Sequence, residues 1–357
     1  MTRALKIVLC AVLVLLLLVG GYAAYVFLTY YRIADNQPLE VELTAEEAEL
    51  DRLSAGTVQR ILSYNIGFGA YSDDYSFFMD GGKESRARSE EAVLTNVGGA
   101  VAAIQAAEPD FALVQEVDLN GDRSHHVDET ELVRAALPGS CIYAQNYDSP
   151  YLFWPLTEPH GANKAGQMTL TRYPVTSALR RSLPIDPGVM KLVDLDRCYS
   201  VSRIPVEGGK ELVLYNFHLS AYTSDGAIAD NQLKMLFADM MAEVEAGNYA
   251  IAGGDFNKDI LGNSPEVFGV EAVGDNWALP IPAELIPAGL TVVAPLDPDD
   301  PVPSCRNADR PYGPDDLVLT VDGFVVSDNV RVLESRVMDE GFRWSDHNPV
   351  YMDFVLE

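Results

Sequence analysis

Asp255 and Asn257 close the segment Tyr249-Ala250-Ile251-Ala252-Gly253-Gly254-Asp255-Phe256-Asn257, in which a short apolar run stops at two glycines. In extended backbone, residues two apart point to the same side, so this carboxylate and amide would face one spot beyond a strand end. Such a pair can hold a water or an oxyanion, although a strand running into Gly-Gly-Asp is also an ordinary turn. Other apolar runs stop in the same abrupt way. The run from Ile61 ends at the amide of Asn65, the run from Phe111 to Gln115 meets Glu116, and the run from Leu212 meets His218. Asp346 and His347 stand side by side just before the last apolar run. Singly, each is explained as a turn amide or a solvated carboxylate. Their recurrence in one chain argues for chemistry on phosphate with a hard cation.

Asn65, the pair Gln115-Glu116, Asn216-Phe217-His218-Leu219, Gly254-Asp255-Phe256-Asn257, Val321-Asp322-Gly323-Phe324-Val325-Val326-Ser327 and Ser345-Asp346-His347-Asn348-Pro349-Val350 follow one another along the chain. In these motifs and their order the chain resembles the endonuclease/exonuclease/phosphatase superfamily, over essentially all of residues 58–357. The resemblance implies an α/β fold, a four-layered sandwich of two mostly antiparallel sheets flanked by helices, and hydrolysis of a phosphoester with a divalent metal. Carried over by motif position, Asn65, Glu116 and Asp346 form the metal cluster. Mg²⁺ suits one or two carboxylates and an amide, with Mn²⁺ the alternative, whereas zinc would want more histidine or cysteine. Asp255 would orient or deprotonate the attacking water, and Asn257 would hold it or a phosphate oxygen. His347 would meet the phosphate, with Asp322 fixing its tautomer and raising its pKa, while His218 donates from the other side.

Further candidates lie in loops. Arg123 could bind phosphate from the polar stretch that also holds His125 and His126, although an exposed histidine pair there is more often inert. His160, Asn163 and Lys164 precede an apolar run in a segment that could border the substrate. Arg306 and Arg310 offer guanidinium forks for phosphate within an acidic loop.

These groups need elements to hold them. Strands are predicted at Val58 to Ile66, Phe111 to Val117, Cys141 to Ala144, Gly166 to Thr171, Tyr199 to Pro205, Glu211 to His218 and Tyr249 to Gly253. C-terminal strands are expected near Leu317 to Val321, Gly323 to Val326, Val330 to Val337 and Pro349 to Val355. Helices are expected over Glu84 to Ala107, near Glu129 to Ala136 and over Ala227 to Glu245. Strands outnumber helices, and helices fall at corresponding places in each half, as two packed sheets flanked by helices require. The proline- and aspartate-rich region from Gly262 to Asp316 reads as a long surface loop.

The N-terminus carries Arg3 and Lys6 and then an uncharged, mostly apolar run from Ile7 to Tyr31, long enough to cross a bilayer. Residues 1–34 are therefore expected to be a single-pass transmembrane anchor, with the catalytic body outside the cytoplasm by the positive-inside rule. A cleaved signal peptide and a secreted body are the alternative. Residues 35–57 read as a linker, with seven acidic residues and no basic one from Asp35 to Asp51 and a short helix capped by Thr44; residues 58–357 form the catalytic domain. Three cysteines outside the anchor, Cys141, Cys198 and Cys305, are too few for a disulfide framework or a thiolate zinc site. The formal net charge of −28 argues against nucleic acid as the main partner. The expected substrate is a small phosphorylated molecule or a phospholipid head group, taken by a monomer. An anchored nuclease is the alternative, and an inactive binding module on the same fold is a third reading that the complete set of polar residues disfavours.

Overall fold

The computed structural model describes residues 2–43, 52–192, 194–221, 226–270 and 277–357. Two seven-stranded sheets stack face to face. The first runs, in spatial order, Gln37–Leu39, Ser177–Ser182, Cys198–Pro205, Glu211–His218, Tyr249–Asp255, Asp322–Ser327 and Leu290–Val293. The second runs Val330–Val337, Val350–Leu356, Val58–Asn65, Phe111–Gly121, Asn163–Thr171, Ser140–Asp148 and Glu42–Leu43. Neighbours are antiparallel except for one pair near the middle of each sheet, Glu211–His218 with Tyr249–Asp255 and Val58–Asn65 with Phe111–Gly121. A parallel pair needs a crossover, and a helix lies within each: Ala227–Glu245 in the first sheet and Glu90–Ala106 in the second.

Alternation along the central strands builds three cores. Ile61, Phe111, Leu113, Leu212, Leu214 and Ile251 meet between the sheets. Their neighbours turn outward, where Leu62, Tyr64 and Val114 pack under Val93, Val97 and Ile104 of one helix. Val213, Tyr215 and Ala250 likewise pack under Leu233, Leu236 and Phe237 of the other. The result is helix, sheet, sheet, helix, the four-layered sandwich expected from the sequence. Each fully buried apolar side chain of this size contributes about 1.5–3 kcal/mol, which leaves the strand ends free to carry polar groups.

Several boundaries move for local reasons. The helix expected from Glu84 starts at Glu90, because Ser89 accepts from Ala92 N at 3.1 Å as its N-cap. The strand expected over Phe111 to Val117 continues to Gly121, with register breaks at a bulge between Val114 and Val117 and again between Asp118 and Asn120. The region read as one long surface loop contributes the edge strand Leu290–Val293 and a buried passage, Ser304 to Arg306, beside Asp322 and His347. Within the acidic stretch read as linker, Gln37–Leu39 and Glu42–Leu43 pair with body strands. The buried Arg180 also donates to the carbonyls of Ile33 and Ala34. The helix expected at Thr44 lies outside the described residues. All four cysteines are free thiols.

The N-terminal helix Arg3–Thr29 has a mean hydropathy of 2.8 over its most apolar window, none of which is buried. Thr2 caps its start, and Val26 is its one buried residue. It is a candidate membrane span by length and composition.

Candidate active site

The polar ends of the two sheets meet at one edge of the sandwich. Asp255 is in register with His218 on one neighbouring strand and with Asp322 on the other. In-register neighbours project from the same face, so three strands deliver their charged side chains to one place. Gly254 permits the close strand approach, since a Cβ there would lie 1.9 Å from Phe217 O. Asn257 does not continue the strand. Its φ of 49° makes a tight turn in which its N–H donates to Asp255 Oδ1 at 2.8 Å and its side-chain amide donates to Leu219 O at 2.8 Å. Asp255 and Asn257 therefore meet through a turn, not through the two-residue repeat of extended backbone.

Asn65 and Glu116 come from the other sheet. The bulge gives Glu116 a φ of 54° and re-aims its carboxylate toward the cavity while Gln115 points between the sheets. Gln115 Nε2 donates to Asn216 Oδ1 at 2.8 Å, tying one sheet to the other behind the site. Asn65 Nδ2 donates to Glu116 Oε1 and to Asp255 Oδ2, each at 3.2 Å, and its Oδ1 accepts from Gly67 N at 3.0 Å. Ser345 Oγ donates to Asn65 O at 2.8 Å, which brings Asp346 and His347 alongside.

His347 and His218 flank Asp255 in opposite electrostatic settings. His347 Nδ1 bonds Asp322 Oδ2 at 2.8 Å, and Ser304 Oγ donates to that oxygen at 2.7 Å. Burial opposes a charge on His347, but the charge and hydrogen bond of Asp322, together with Cys305 and Asp346, outweigh it and hold the imidazolium well above the usual histidine range. His218 Nε2 lies 3.4 Å from Asp255 Oδ2 and 4.0 Å from Glu116 Oε1. Burial, with the nearby charges of Arg197 and His347, keeps His218 neutral, far below that range. Burial also raises the Asp255 carboxyl to about 7, against the favourable charge of His347.

The donor set fits a hard divalent cation. Glu116 and Asp346 both face one cavity, and neither makes an ion pair with lysine or arginine among the described residues. Burial raises both carboxyls, and the charge of Asp346 raises Glu116 further, a repulsion that a cation would relieve. The Asn65 amide would offer its oxygen to the same ion after a half-turn; amide orientation is an assignment set by the hydrogen-bond network. Ligand atoms of Asp255, Asp322 and His347 also lie within 4.8 Å of one another. There, however, Asp322 Oδ2 is already committed to His347 and Ser304, so this trio is better suited to holding a proton.

Asn65 lies buried behind a cavity of about 510 Å³ whose wall includes Glu116, His218, Asp255, Asn257, Asp346 and His347. Arg123 and Arg306 also line it, but both guanidinium groups are largely engaged, with Arg306 Nε buried and left without a partner among the described residues. Arg123 pairs with Asp118 at 2.7 Å and stacks over Phe68, and Arg306 donates to the carbonyls of Tyr71, Ser72 and Tyr75. Lys164 and Arg310 are not part of the wall; they pair with Asp148 and Asp316. His125 bonds Ala87 O and His126 bonds Asn120, whereas His160 lines the cavity, bonded to Ser85 O and lowered to about 4 by burial and by Arg123. Sequence reasoning missed Arg197. It is buried, lines the cavity, and leaves Nε and Nη1 without a hydrogen-bond partner among the described residues. No motif marks it, and only its neglected donors single it out.

Solved structures share the fold at low identity. An endonuclease/exonuclease/phosphatase from Beutenbergia cavernae DSM 12333 is 18% identical with a TM-score of 0.56, over 84% of this chain and 72% of that one. ANGEL2, described as a 2′,3′-cyclic phosphatase and solved with adenosine-2′,3′-vanadate, is 16% identical with a TM-score of 0.53, over 89% and 99%. A family protein from Leptotrichia buccalis C-1013-b is 15% identical with a TM-score of 0.52, over 83% and 99%. The comparison with curated proteins gave no match. The model of the Endonuclease/Exonuclease/phosphatase family matches residues 62–347, from the strand that ends in Asn65 to His347, and the chain belongs to that family.

Proposed function

We propose that this chain is a metal-dependent phosphoester hydrolase, held at a membrane by its N-terminal helix with the catalytic body on the extracytoplasmic side. The observation that carries the reading is the convergence of Asp255 with His218, Asn65 and His347 beside Glu116 and Asp346, carboxylates with no lysine or arginine partner among the described residues. Members of the family are metal-dependent phosphoester hydrolases. Arg3 and Lys6 at the start of the helix, ahead of its apolar run, and the acidic stretch after Arg32 support the orientation.

Glu116, Asp346 and the Asn65 amide would hold Mg²⁺ or Mn²⁺, which when bound neutralises charge on the phosphate and its leaving oxygen. Asp255 orients a water and takes its proton as the water oxygen bonds phosphorus. The bond from phosphorus to the leaving oxygen breaks, and His347, kept protonated by Asp322, gives its proton to that oxygen so that it departs as the alcohol. Asn257 and neutral His218 hold the water and a phosphate oxygen from the other side. The free donors of Arg197 suit another phosphate oxygen. The net acidic charge favours a small or head-group phosphoester over a nucleic acid.

The test is turnover by the full chain in detergent, with bis-p-nitrophenyl phosphate, p-nitrophenyl phosphate, a phospholipid and plasmid DNA, in Mg²⁺ or EDTA. Metal-dependent ester turnover is expected. Equal rates in EDTA would remove the metal mechanism, and plasmid cleavage far above the rest would make the protein a nuclease. Protection of the body from protease in intact cells would reverse the orientation.

A further inference from the structure

The cavity holding the catalytic groups has an apolar side. Leu152, Phe153 and Trp154 line it, and so does Tyr22 of the N-terminal helix. The loop is fastened to that helix: Tyr22 Oη donates to Tyr151 O and Tyr151 N donates to Tyr25 Oη, each at 3.1 Å. The rings of Tyr22 and Phe153 meet edge-on with centroids 5.1 Å apart. The backbone of Leu152 and Trp154 also bonds Gly161 and His160, but the large apolar side chains past Leu152 face outward. Phe153 is 51%, Trp154 66% and Leu156 74% exposed.

The helix fixes the level of this surface. A hydrocarbon core takes about 20 helical residues, which, counted from Ile7 after Lys6, ends at Val26. Tyr22 lies two turns before the helix end at Thr29, about 10 Å along the axis. Tyr22 and Tyr25 thus fall where tyrosine and tryptophan concentrate at a bilayer boundary, and the loop bound to them is at the same depth. An exposed cluster of phenylalanine, tryptophan and leucine is costly in water and favourable in that interface.

We propose that the loop Tyr151–Leu156 rests in the interface of the bilayer that holds the helix, and that the site takes a phosphoester lipid from that bilayer. The phosphate would reach Glu116 and Asp346 while the apolar chain stays against Phe153 and Trp154. The inference rests on the phosphoesterase and anchor readings above and names the substrate class for them. With so acidic a body, docking depends on the helix and the apolar loop, so added salt has little effect on it.

The full chain is reconstituted in phosphatidylcholine vesicles containing phosphatidylglycerol and phosphatidic acid, with Mg²⁺. Lipid turnover is compared with turnover of soluble bis-p-nitrophenyl phosphate in the same sample, for the natural chain and for the triple variant Phe153→Ser, Trp154→Ser, Leu156→Ser. The ratio of lipid to soluble turnover cancels any loss of folded protein. It is expected to fall roughly tenfold or more in the variant. An unchanged ratio overturns the proposal. Soluble turnover without lipid turnover in the natural chain overturns the lipid assignment and leaves the phosphoesterase standing; turnover of neither overturns the phosphoesterase. Docking has its own readout. Brominated phosphatidylcholine should quench fluorescence in the natural chain more than in Trp154→Phe, and equal quenching removes the docked loop.

Discussion

The two sheets contribute unlike halves to one site. The sheet built on Val58–Asn65 and Phe111–Gly121 supplies Asn65 and Glu116, with Asp346 entering just before its strand Val350–Leu356. The sheet built on Glu211–His218 and Tyr249–Asp255 supplies His218, Asp255 and Asp322. On the proposed reading, the first half concentrates carboxylates that lack a lysine or arginine partner among the described residues and would suit a cation, and the second arranges groups that would hold or take a proton. On that reading, each half alone is an incomplete site. His347 joins them, rising from the first half and bonding Asp322 in the second at 2.8 Å. The difference teaches that the interface between the sheets does two jobs, apolar packing at its centre and alignment of charge with proton donors at its edge.

The division can be broken from either side. Chelation, or Glu116→Gln in saturating Mg²⁺, is expected to have the largest effect, a loss of kcat of at least roughly a thousandfold. Retained turnover would take the cation out of the first half. Asp255→Asn is expected to lower kcat by about a hundredfold to a thousandfold with little change in KM, measured by steady-state kinetics across pH. A raised KM with intact kcat would instead make Asp255 a binding group.

Asp322→Asn tests the joint between the halves. It is expected to cost about tenfold to a hundredfold in kcat. Because Asp322 holds His347 protonated, its loss lowers the His347 pKa, and the alkaline limb of the pH profile should move to lower pH. An unmoved limb would separate His347 from the pH dependence. Arg197→Gln is expected to raise KM by about tenfold, and an unchanged KM would leave its free donors outside substrate binding.

The smallest effect is on stability. The Asp255 carboxyl is raised by burial to about 7 in the folded protein, whereas an unfolded aspartate ionises near 4. Between those values the folded state holds the extra proton, so stability falls as pH rises, and the full cost is present above pH 7. Asp255→Asn removes that cost. In metal-free buffer it should raise Tm by about a few °C near pH 8 and by little near pH 4. A lower Tm at pH 8 would mean that the hydrogen bonds of Asp255 outweigh its burial.

Legibility in the sequence tracked locality. Glu211–His218 and Ala227–Glu245 were readable to the residue, because period-two alternation and a helical apolar face are local patterns. Leu290–Val293 was hidden, because an edge strand in a proline-rich region carries little periodicity and depends on pairing with Asp322–Ser327. Arg306 and Arg197 show the same limit at the site. Both are buried arginines on the cavity wall, yet Arg306 spends Nη1 and Nη2 on loop carbonyls and leaves only Nε unpartnered, whereas Arg197 leaves both Nε and Nη1 without a partner among the described residues. Residue type could not distinguish them.

By itself the sequence determined which polar groups end which apolar runs, the apolar N-terminal helix and the acidic balance, since these follow from residue type and short-range order. Only the tertiary structure decided that Asp255 stands between His218 and Asp322, that a bulge aims Glu116 into the cavity, and that Tyr22 of the N-terminal helix meets the loop at Phe153. Those contacts join residues far apart in the chain, and their geometry is set by strand register and packing, which no local pattern encodes.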